Sequence, residues 1–455
     1  MADVRQARPE LGFGAVDHGW PDFEGRLRFD EESRRMSARD FGGIVHRPPS
    51  AVLEAASVED VCRLIEYAAV AGRRIAPRGE GHSAYGHGQV ADGIVLGLGR
   101  LDRIHGLDGN RMTVDAGVRW TDVALAALKE GLLPPVLTDF LGLSVGGTLS
   151  VGGLSGTSFR WGAQVDNVQS LVVATGRGDV VTCDADHEAD LFFAALAGMG
   201  QCGVILRATL RLEPAPAAVR VYRLSYADPL SMLAELRRLS DGGAFDYLLG
   251  IVTPNGDGGW NAEIEATATS DGPDDRRLAG LGDVAHARRI EERGQETWVR
   301  RVEERVAALQ ALSLWDRPHP WLDLFVPSPV ADRLLGDVLA TPVVHGVGPL
   351  RILLYPLRRS RLRQPLLRTP DQERFFLLDV LCTAGPGMAH AMVSANRSLF
   401  ERCRALGGTV YPIGAVPMTQ ADWRVHFGGE WARLEAAKRG FDPANILTPG
   451  PGIFP

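Results

Sequence analysis

The sequence predicts an α+β fold that is divided between two domains. The chain has 455 residues, which is more than one hydrophobic core normally supports. Between Pro48 and Leu212, short strand patterns alternate with amphipathic helices and with two glycine-rich stretches. Beyond Pro214 the glycine clusters become sparse and charged helical patterns appear. These changes predict a first domain over residues 1–215, a second domain over 216–424 and a C-terminal tail over 425–455.

The first helix is predicted to begin after Ser57. The Ser57 side chain can cap the helix, and Asp60 stands at the spacing of a capping box. Apolar residues between 61 and 68 fall on one helical face, and Gly72 suits the C-terminal end. We therefore predict an amphipathic helix that ends at Gly72.

The other elements follow from the period of the apolar residues. Patterns of period two predict strands at residues 74–77, 93–98, 111–116, 171–174, 179–183 and 204–212. Helices are predicted to open at Thr121 and to cover residues 190–197. In the second domain, the charged pattern of residues 283–312 predicts a helix.

The composition argues against several classes of protein. The formal net charge is −7 and charged residues form no blocks, which disfavours nucleic-acid binding. No stretch approaches the ~20 apolar residues of a membrane span, and the start lacks the apolar run of a secretory signal. The five cysteines are widely spaced without CxxC pairs, so neither a disulfide framework nor a metal site is predicted. We expect a cytoplasmic protein with reduced thiols and no nucleic-acid or membrane partner.

The first glycine-rich stretch, RGEGHSAYGHG, spans residues 78–88. Its glycines leave backbone N–H groups uncovered, so the loop can wrap the anionic oxygens of a pyrophosphate. His82 stands in the middle of the stretch, where an imidazole could tether a cofactor ring. A glycine-rich turn with an incidental histidine explains the same residues, so this motif alone leaves both interpretations open.

The second glycine-rich stretch, SVGGTLSVGGLSG, covers residues 144–156. It lacks the spacing of a Rossmann fingerprint and the lysine of a Walker motif. A dinucleotide in a non-Rossmann fold is compatible with it, and so is a structural glycine loop. Asp139 precedes this stretch and could act as a general base if burial or a neighbour tunes it. Most aspartates between strands instead cap helices or form turns.

Six sequence blocks resemble, in order, those of the cytokinin dehydrogenases. They are RGEGHS, LTDFLGLSVGGTLSVGGLSGTSFRWGAQVDNV, GMGQCGVI, HPWLDLFVP, WRVHFGGEW and FDPANILTPGPGIF. The resemblance runs from Asp40 to the C-terminus, and the combination of blocks is more specific than any single block. Cytokinin dehydrogenases are flavoenzymes of the vanillyl-alcohol-oxidase type with a PCMH-type FAD-binding domain.

The resemblance implies a fold and a cofactor. An FAD-binding domain of two α+β subdomains would be completed by the C-terminal tail, and a substrate domain would carry an antiparallel sheet flanked by helices. His82 would bond covalently to the isoalloxazine ring, and the absence of cysteine between residues 137 and 162 excludes a second, cysteinyl link. The other residues implied to contact FAD are Arg78, Gly79, Glu80, Gly81, Ser83, His87, Thr138, Gly146, Gly147, Ser150, Gly153, Gly156, Gly203, Val204, Ile205 and Tyr411.

The resemblance also implies roles at the substrate site. Asp139 would hydrogen-bond the substrate amine and accept a proton while hydride passes to flavin N5. Leu249 replaces a family glutamate that contacts the adenine ring, Leu362 replaces a substrate-lining tryptophan, and His87 replaces a glutamine. We therefore expect a more apolar pocket with Leu249 and Leu362 as substrate-binding residues. Poor turnover of isopentenyladenine should follow, and Leu249→Glu should improve it.

The predicted function is FAD-dependent oxidation of a small organic substrate at a C–N or C–OH carbon, with oxygen or another acceptor taking the electrons. The substrate need not be a cytokinin, and a tailoring oxidation of a natural product is an equal candidate. A non-redox protein that uses the FAD scaffold for binding or ring formation is an alternative. An NADPH-fed reductase with loosely bound FAD is another, although the histidine of the GHS motif argues against it.

Overall fold

The computed structural model of the protein describes residues 19–269, 285–341 and 350–455, with only the backbone described for residues 285–288. The polar start of the chain, residues 1–18, lies outside this part.

The region before Ala218 consists of short strands and short helices in alternation. Its strands are β1 (Arg26–Arg28), β2 (Ala51–Glu54), β3 (Ile75–Arg78), β4 (Ile94–Gly97), β5 (Ile104–Asp108), β6 (Arg111–Asp115), β7 (Leu132–Leu133), β8 (Val168–Thr175), β9 (Val180–Asp184), β10 (Gly203–Arg211) and β11 (Glu213–Pro214). Its helices are α1 (Glu31–Ser37), α2 (Val58–Ala71), α3 (Trp120–Leu128), α4 (Val145–Leu149), α5 (Ser158–Trp161) and α6 (Ala189–Ala195). The predicted strands and helices of this region are all present, with bounds that differ from the prediction by no more than three residues.

Two larger sheets organise this region, and they correspond to the two predicted subdomains. The first has the order β1-β2-β4-β3, in which β2, β4 and β3 are parallel. The second is antiparallel, with the order β5-β6-β10-β8-β9. Helix α2 connects β2 to β3, as the parallel pairing requires, and its apolar face packs in the core of the first sheet.

The ends of α2 confirm the prediction from sequence, with one difference. The Ser57 hydroxyl accepts a hydrogen bond from the Asp60 amide at 3.2 Å, and Gly72 ends the helix at a φ of 61°. The Asp60 carboxylate, however, accepts bonds from the amides of Gly25 and Ala56, both at 2.8 Å. The second half of the predicted capping box is therefore used to hold the preceding chain segments.

The second region is built around one eight-stranded antiparallel sheet. Its strands are β12 (Ala218–Tyr226), β13 (Tyr247–Pro254), β14 (Trp260–Thr269), β15 (Ala285–Gly294), β16 (Leu322–Pro327), β17 (Arg351–Arg358), β18 (Arg374–Leu381) and β19 (Thr409–Val410). In the described residues the strand order is β15-β12-β14-β13-β17-β18-β16-β19. The helices are α7 (Pro229–Gly242), α8 (Gln295–Val299), α9 (Glu303–Ala311), α10 (Ala331–Leu339), α11 (Ala389–Ala405), α12 (Gln420–Phe427) and α13 (Trp431–Phe441).

The two faces of this sheet have different surroundings. On β13, Leu248 and Val252 pack in an apolar core with helix residues such as Met232 of α7. The alternating residues Leu249 and Ile251 point to the opposite face and line a cavity. The helices therefore cover one face, and the other face borders the cavity.

The predicted helix over residues 283–312 is wrong for its first half. The described part of that segment begins with β15, which pairs along β12, and continues with the short helices α8 and α9; residues 283 and 284 lie outside the described residues. Charged residues on an edge strand oppose pairing with another chain, and such a run resembles a solvated helix in sequence. Pairing with β12 decides the conformation.

The C-terminal tail contacts the first sheet. The Ile75 amide donates to the Ile446 carbonyl, and the Thr448 amide donates to the Ile75 carbonyl, both at 2.8 Å. The tail therefore extends the edge of the sheet at β3, the strand that leads into the first glycine-rich loop. No helix in the described residues has both the length and the apolar character needed to cross a membrane.

Candidate active site

A cavity of roughly 710 Å³ lies between the two glycine-rich loops and the open face of the eight-stranded sheet. A volume of this order is typical of cofactor and substrate sites. The predicted site residues that line it are Arg78, Gly79, Glu80, Gly81, His82, Ser83, His87, Thr138, Asp139, Gly146, Gly147, Ser150, Gly153, Gly203, Val204, Ile205, Leu249 and Tyr411.

The first glycine-rich loop begins where β3 ends at Arg78. The carboxylate of Asp40 fixes the loop, since it accepts hydrogen bonds from the Gly86 amide at 2.6 Å and from the Ser83 hydroxyl at 2.9 Å. Gly81 has a φ of 68°, in the left-handed region that favours glycine. The backbone N–H groups of residues 79–83 donate to no other described residue, so they are free to bind an anionic ligand.

His82 lies within a group of aromatic rings. The Phe41 ring stacks on its imidazole with the centroids 4.0 Å apart, and the rings of Phe140 and Trp315 are 5.0 and 5.8 Å away. Burial, with a smaller contribution from His319, lowers the pKa of His82 to about 3. The imidazole is therefore neutral near pH 7, and one ring nitrogen keeps a lone pair for bonding.

The second glycine-rich loop contains α4 and runs beside the first loop. A Cβ atom at Gly79 would lie 2.0 Å from the Ser144 hydroxyl, so the two loops approach closely because residue 79 is a glycine. The Gly153 amide donates to the Tyr411 hydroxyl at 2.9 Å. This bond ties the loop to the chain segment that follows β19.

Asp139 is the centre of a hydrogen-bond cluster in the cavity wall. The Tyr355 hydroxyl donates to its Oδ2 at 2.7 Å, the Tyr247 hydroxyl lies 3.0 Å from its Oδ1, and Arg301 forms an ion pair with it at 2.5 Å. The Arg301 guanidinium also lies 4.0 Å from the Trp298 ring centroid. Burial, followed by the charge of Asp139, raises the pKa of both tyrosines well above the usual value, so both remain donors.

The sheet wall beside Leu249 is charged rather than apolar. Glu265 lies directly opposite Leu249 on β14, lines the same cavity and is 7% exposed. Its carboxylate pairs with Arg223 at 3.0 Å and with Arg301 at 3.5 Å. The expected apolar pocket is therefore wrong at this point, because the neighbouring strand supplies a carboxylate.

Two predicted site residues lie away from the cavity wall. Leu362 follows a 3₁₀ turn, Arg359–Arg361, and its side chain packs in the apolar core. The Gly156 carbonyl accepts a hydrogen bond from the Leu248 amide, and a Cβ atom there would lie 2.5 Å from the Tyr247 ring. Neither Leu362 nor Gly156 lines the cavity, so the structure gives no support to the predicted substrate contact of Leu362 or to the predicted FAD contact of Gly156. Gly156 instead makes room for Tyr247.

Comparison with known proteins gives the family of the chain. Residues 49–184 match the model of an FAD binding domain, and residues 289–454 match the model described as cytokinin dehydrogenase 1, FAD and cytokinin binding. Cytokinin dehydrogenase 4 of Oryza sativa subsp. japonica is 33% identical over 95% of this chain and 90% of its own length. The chain belongs to the cytokinin dehydrogenase family.

Two further comparisons extend this result. An uncharacterized oxidoreductase, ORF5 in the fasciation locus of Rhodococcoides fascians, is 36% identical over 92% of this chain and 97% of that protein. The solved structure of 6-hydroxy-D-nicotine oxidase from Arthrobacter nicotinovorans has a TM-score of 0.76 at 22% identity and covers 95% of this chain and 98% of that chain. The structural likeness confirms the predicted fold, and the family confirms an FAD-dependent oxidoreductase.

The residues of this cytokinin dehydrogenase-family cavity fit FAD. The uncommitted amides of residues 79–83 offer donors for a pyrophosphate, which carries negative charge and only acceptor oxygens. The neutral imidazole of His82 stands at the end of the same loop segment, among aromatic rings. The chain thus provides an anion-binding segment and an apolar, ring-lined segment within one cavity.

Sequence reasoning missed three partners of Asp139. Tyr247 and Tyr355 stand in FDYLLG and YPLRRSRL, two segments already compared with the family, but each lies on a strand whose inward face was unknown. Arg301 lies in the segment predicted as a solvated helix. No local signal distinguishes the buried Arg301 from the exposed Arg300 beside it.

Replacement of Arg301 by methionine is expected to lower the free energy of unfolding by about 3–5 kcal/mol, because it leaves Asp139 and Glu265 without their shared cation. Arg300→Met is the matched control, since the adjacent arginine is exposed and its solvent-screened pairs with Glu296 and Glu303 should contribute little to stability. Urea unfolding followed by tryptophan fluorescence measures both variants. Equal losses of stability would contradict the shared-cation role.

Proposed function

We propose that this FAD-dependent enzyme removes a hydride from a C–N or C–OH carbon of a small organic substrate, with the flavin attached through His82. The proposal depends mainly on the position of Asp139. Its carboxylate lies in the wall of the cavity, and the two glycine-rich loops and His82 line the same cavity. A carboxylate in this position can accept the proton that an amine or alcohol must lose when its carbon is oxidised.

The residues around Asp139 have separable tasks. FAD, when bound, supplies the hydride acceptor. Tyr247 and Tyr355 orient the Asp139 carboxylate, and Arg301 balances its charge. Because these donors already contact both oxygens of Asp139, a substrate N–H or O–H takes the place of one tyrosine bond before its proton passes to the carboxylate. The buried cluster therefore holds the base in a fixed position.

Anaerobic addition of candidate amines and alcohols to the purified enzyme tests the proposal. Bleaching of the visible flavin absorbance, followed by its return with oxygen or with an artificial acceptor, is the expected result. A flavin that no amine or alcohol reduces would favour the non-redox alternative. Comparison of the two acceptors then distinguishes an oxidase from a dehydrogenase.

The adenine end of the site is proposed to differ from that of the plant enzymes. The family resemblance implies a glutamate where this chain has Leu249. Glu265 stands opposite, but Arg223 and Arg301 already pair with its carboxylate, which weakens it as an acceptor for a purine N–H. A site without the matching acceptor leaves a polar group of the ligand unsatisfied.

Isopentenyladenine is therefore expected to be a poor substrate, with kcat/KM below ~10⁴ M⁻¹s⁻¹. Leu249→Gln should raise this value, because a neutral amide can accept the purine N–H beside Glu265. Leu249→Glu should not, because two carboxylates directly opposite each other on paired strands repel. Leu249→Met is the apolar control. Steady-state rates of the four enzymes check this, and a wild-type value above the stated limit would contradict it.

A further inference from the structure

Two aspartates stand directly opposite each other in the cavity wall, Asp323 on β16 and Asp379 on β18. Asp323 is 0% exposed and Asp379 is 7% exposed. Apart from the hydrogen bond between the two carboxyl groups themselves, both carboxyl oxygens of Asp323 and the Oδ1 of Asp379 receive no hydrogen bond from any described residue. Buried acceptors without donors are rare in native proteins, and like charges at opposed strand positions destabilise a sheet. This pair therefore needs an explanation.

The other carboxylates of the cavity wall described above have cations as partners. Asp139 pairs with Arg301, Glu265 with Arg223 and Glu80 with Arg119. Among the described residues, neither Asp323 nor Asp379 forms an ion pair. The pair is thus a place in the cavity wall where two facing carboxyl groups have no cation partner among the described residues.

The groups that face the pair from neighbouring elements do not supply a cation. They are Asp139 from the loop before α4, Tyr355 from β17, Tyr411 from the segment after β19 and Cys382 from the end of β18. Burial raises the pKa of both aspartates, and for Asp379 the neighbouring Asp323 raises it further. The pair consequently retains a proton near neutral pH in the free protein.

We propose that Asp323 and Asp379 form a subsite for a protonated amine of the substrate, so that the enzyme acts on small cationic amines. The inference deepens the proposed function and depends on it for the identity of the cavity as the substrate site. An ammonium group donates N–H bonds to the carboxyl oxygens of the pair and replaces the hydrogen bond that the two carboxyl groups share in the free protein. The proton held by the pair then leaves to solvent, and no other bond is formed or broken.

The position of the pair also indicates how such a substrate lies. Asp379 is close enough to Asp139 for their charges to interact, and Leu353 stands next to Asp379 on β17. A substrate with its ammonium group at the pair extends along the sheet wall toward Asp139. Its oxidised carbon is then separate from the recognised cation.

Benzylamine and benzyl alcohol are suitable probes, because they have nearly the same shape and differ in charge. Each is titrated into the anaerobic holoenzyme, and the perturbation of the flavin spectrum gives a Kd that is distinct from bleaching. We expect protonated benzylamine to bind about tenfold or more tightly than benzyl alcohol, the scale of a charge-assisted hydrogen bond. The preference should increase with pH while the amine stays protonated, because the pair must lose its proton.

Asp323→Asn with Asp379→Asn in one protein should abolish this preference. Glu263→Gln is the matched control, since Glu263 lines the same cavity and lies on the same row of the sheet through Ile251, Leu353 and Asp379. It should keep the preference. Calorimetry of the wild-type protein in two buffers of different ionisation enthalpy should show release of about one proton on benzylamine binding. This measurement needs no variant to fold.

Equal or absent binding of benzylamine, a preference that survives in the double variant, or binding without proton release would each overturn the subsite. These results are separable from the function itself. An enzyme whose flavin is reduced by alcohols but which shows no amine preference retains the proposed function and loses the subsite. An enzyme with the amine preference but no flavin reduction by any substrate retains the binding site and loses the oxidation.

Discussion

Asp139→Asn is expected to slow flavin reduction by the substrate about 10²- to 10⁴-fold, the usual contribution of general-base catalysis. Asparagine keeps the size of the side chain and one acceptor oxygen, but it cannot accept the proton. Rapid mixing of anaerobic enzyme with substrate, followed through the flavin absorbance, measures the rate directly. Bound FAD per chain should be unchanged, because the proposed pyrophosphate contacts come from the amides of residues 79–83.

Two further variants test whether the slower flavin reduction is specific to loss of the Asp139 carboxylate. Asp186→Asn removes an exposed carboxylate that does not line the cavity and should leave the rate unaltered. Tyr355→Phe removes one donor to Asp139 at 2.7 Å and should have a smaller effect than loss of the base. A change of less than about threefold in Asp139→Asn would show that another group takes the proton.

The elements that could be predicted from sequence are those with local signals. Helix α2 has its cap, its apolar face and its terminal glycine within one short segment, and the structure reproduces all three. Strand β15 has no such signal, because its charged residues suit a solvated helix equally well. Its conformation depends on pairing with β12, whose residues are 59 to 76 positions away from their partners in sequence.

The residues of the candidate site also fall into two groups, those with a local signal in the sequence and those without one. His82 and Asp139 stand beside glycine-rich loops, and such loops are visible in a sequence without knowledge of the fold. The partners of Asp139 are separated from it by 108 residues for Tyr247, 162 for Arg301 and 216 for Tyr355. Only the folded sheet brings them together. For the same reason, Leu362 was placed at the site by comparison of segments although it lies in the core.

The sequence contains a signal for one member of the carboxyl pair, Asp323, that was not used in the prediction of the site. In the segment HPWLDLFVP, Leu322, Leu324 and Val326 pack under the helices, which leaves Asp323 on the opposite face of a buried strand. A lone acidic residue in an otherwise apolar strand is a signal that can be found in sequence. Its partner Asp379 could not be found, because the register of β16 and β18 comes from the fold.

His82 is the proposed covalent link between the chain and FAD. His82→Ala is expected to remove the flavin from the denatured polypeptide completely, whereas the wild-type chain should carry the added mass of one FAD in denaturing mass spectrometry. His87→Ala is the matched control: His87 lines the same cavity, lies five residues further along the same loop, and burial lowers its pKa to about 4. It should keep the added mass.

The physical reason is the state of the His82 imidazole. Because burial, followed by His319, lowers its pKa to about 3, the ring stays neutral and nucleophilic across the range in which an ordinary histidine titrates. Attachment to added FAD should therefore proceed at a rate that does not change between about pH 5 and pH 8. The His82→Ala protein should still bind FAD reversibly, since the amides of residues 79–83 remain in place. An unmodified wild-type mass, or loss of the added mass in His87→Ala, would contradict the assignment of His82 as the tether.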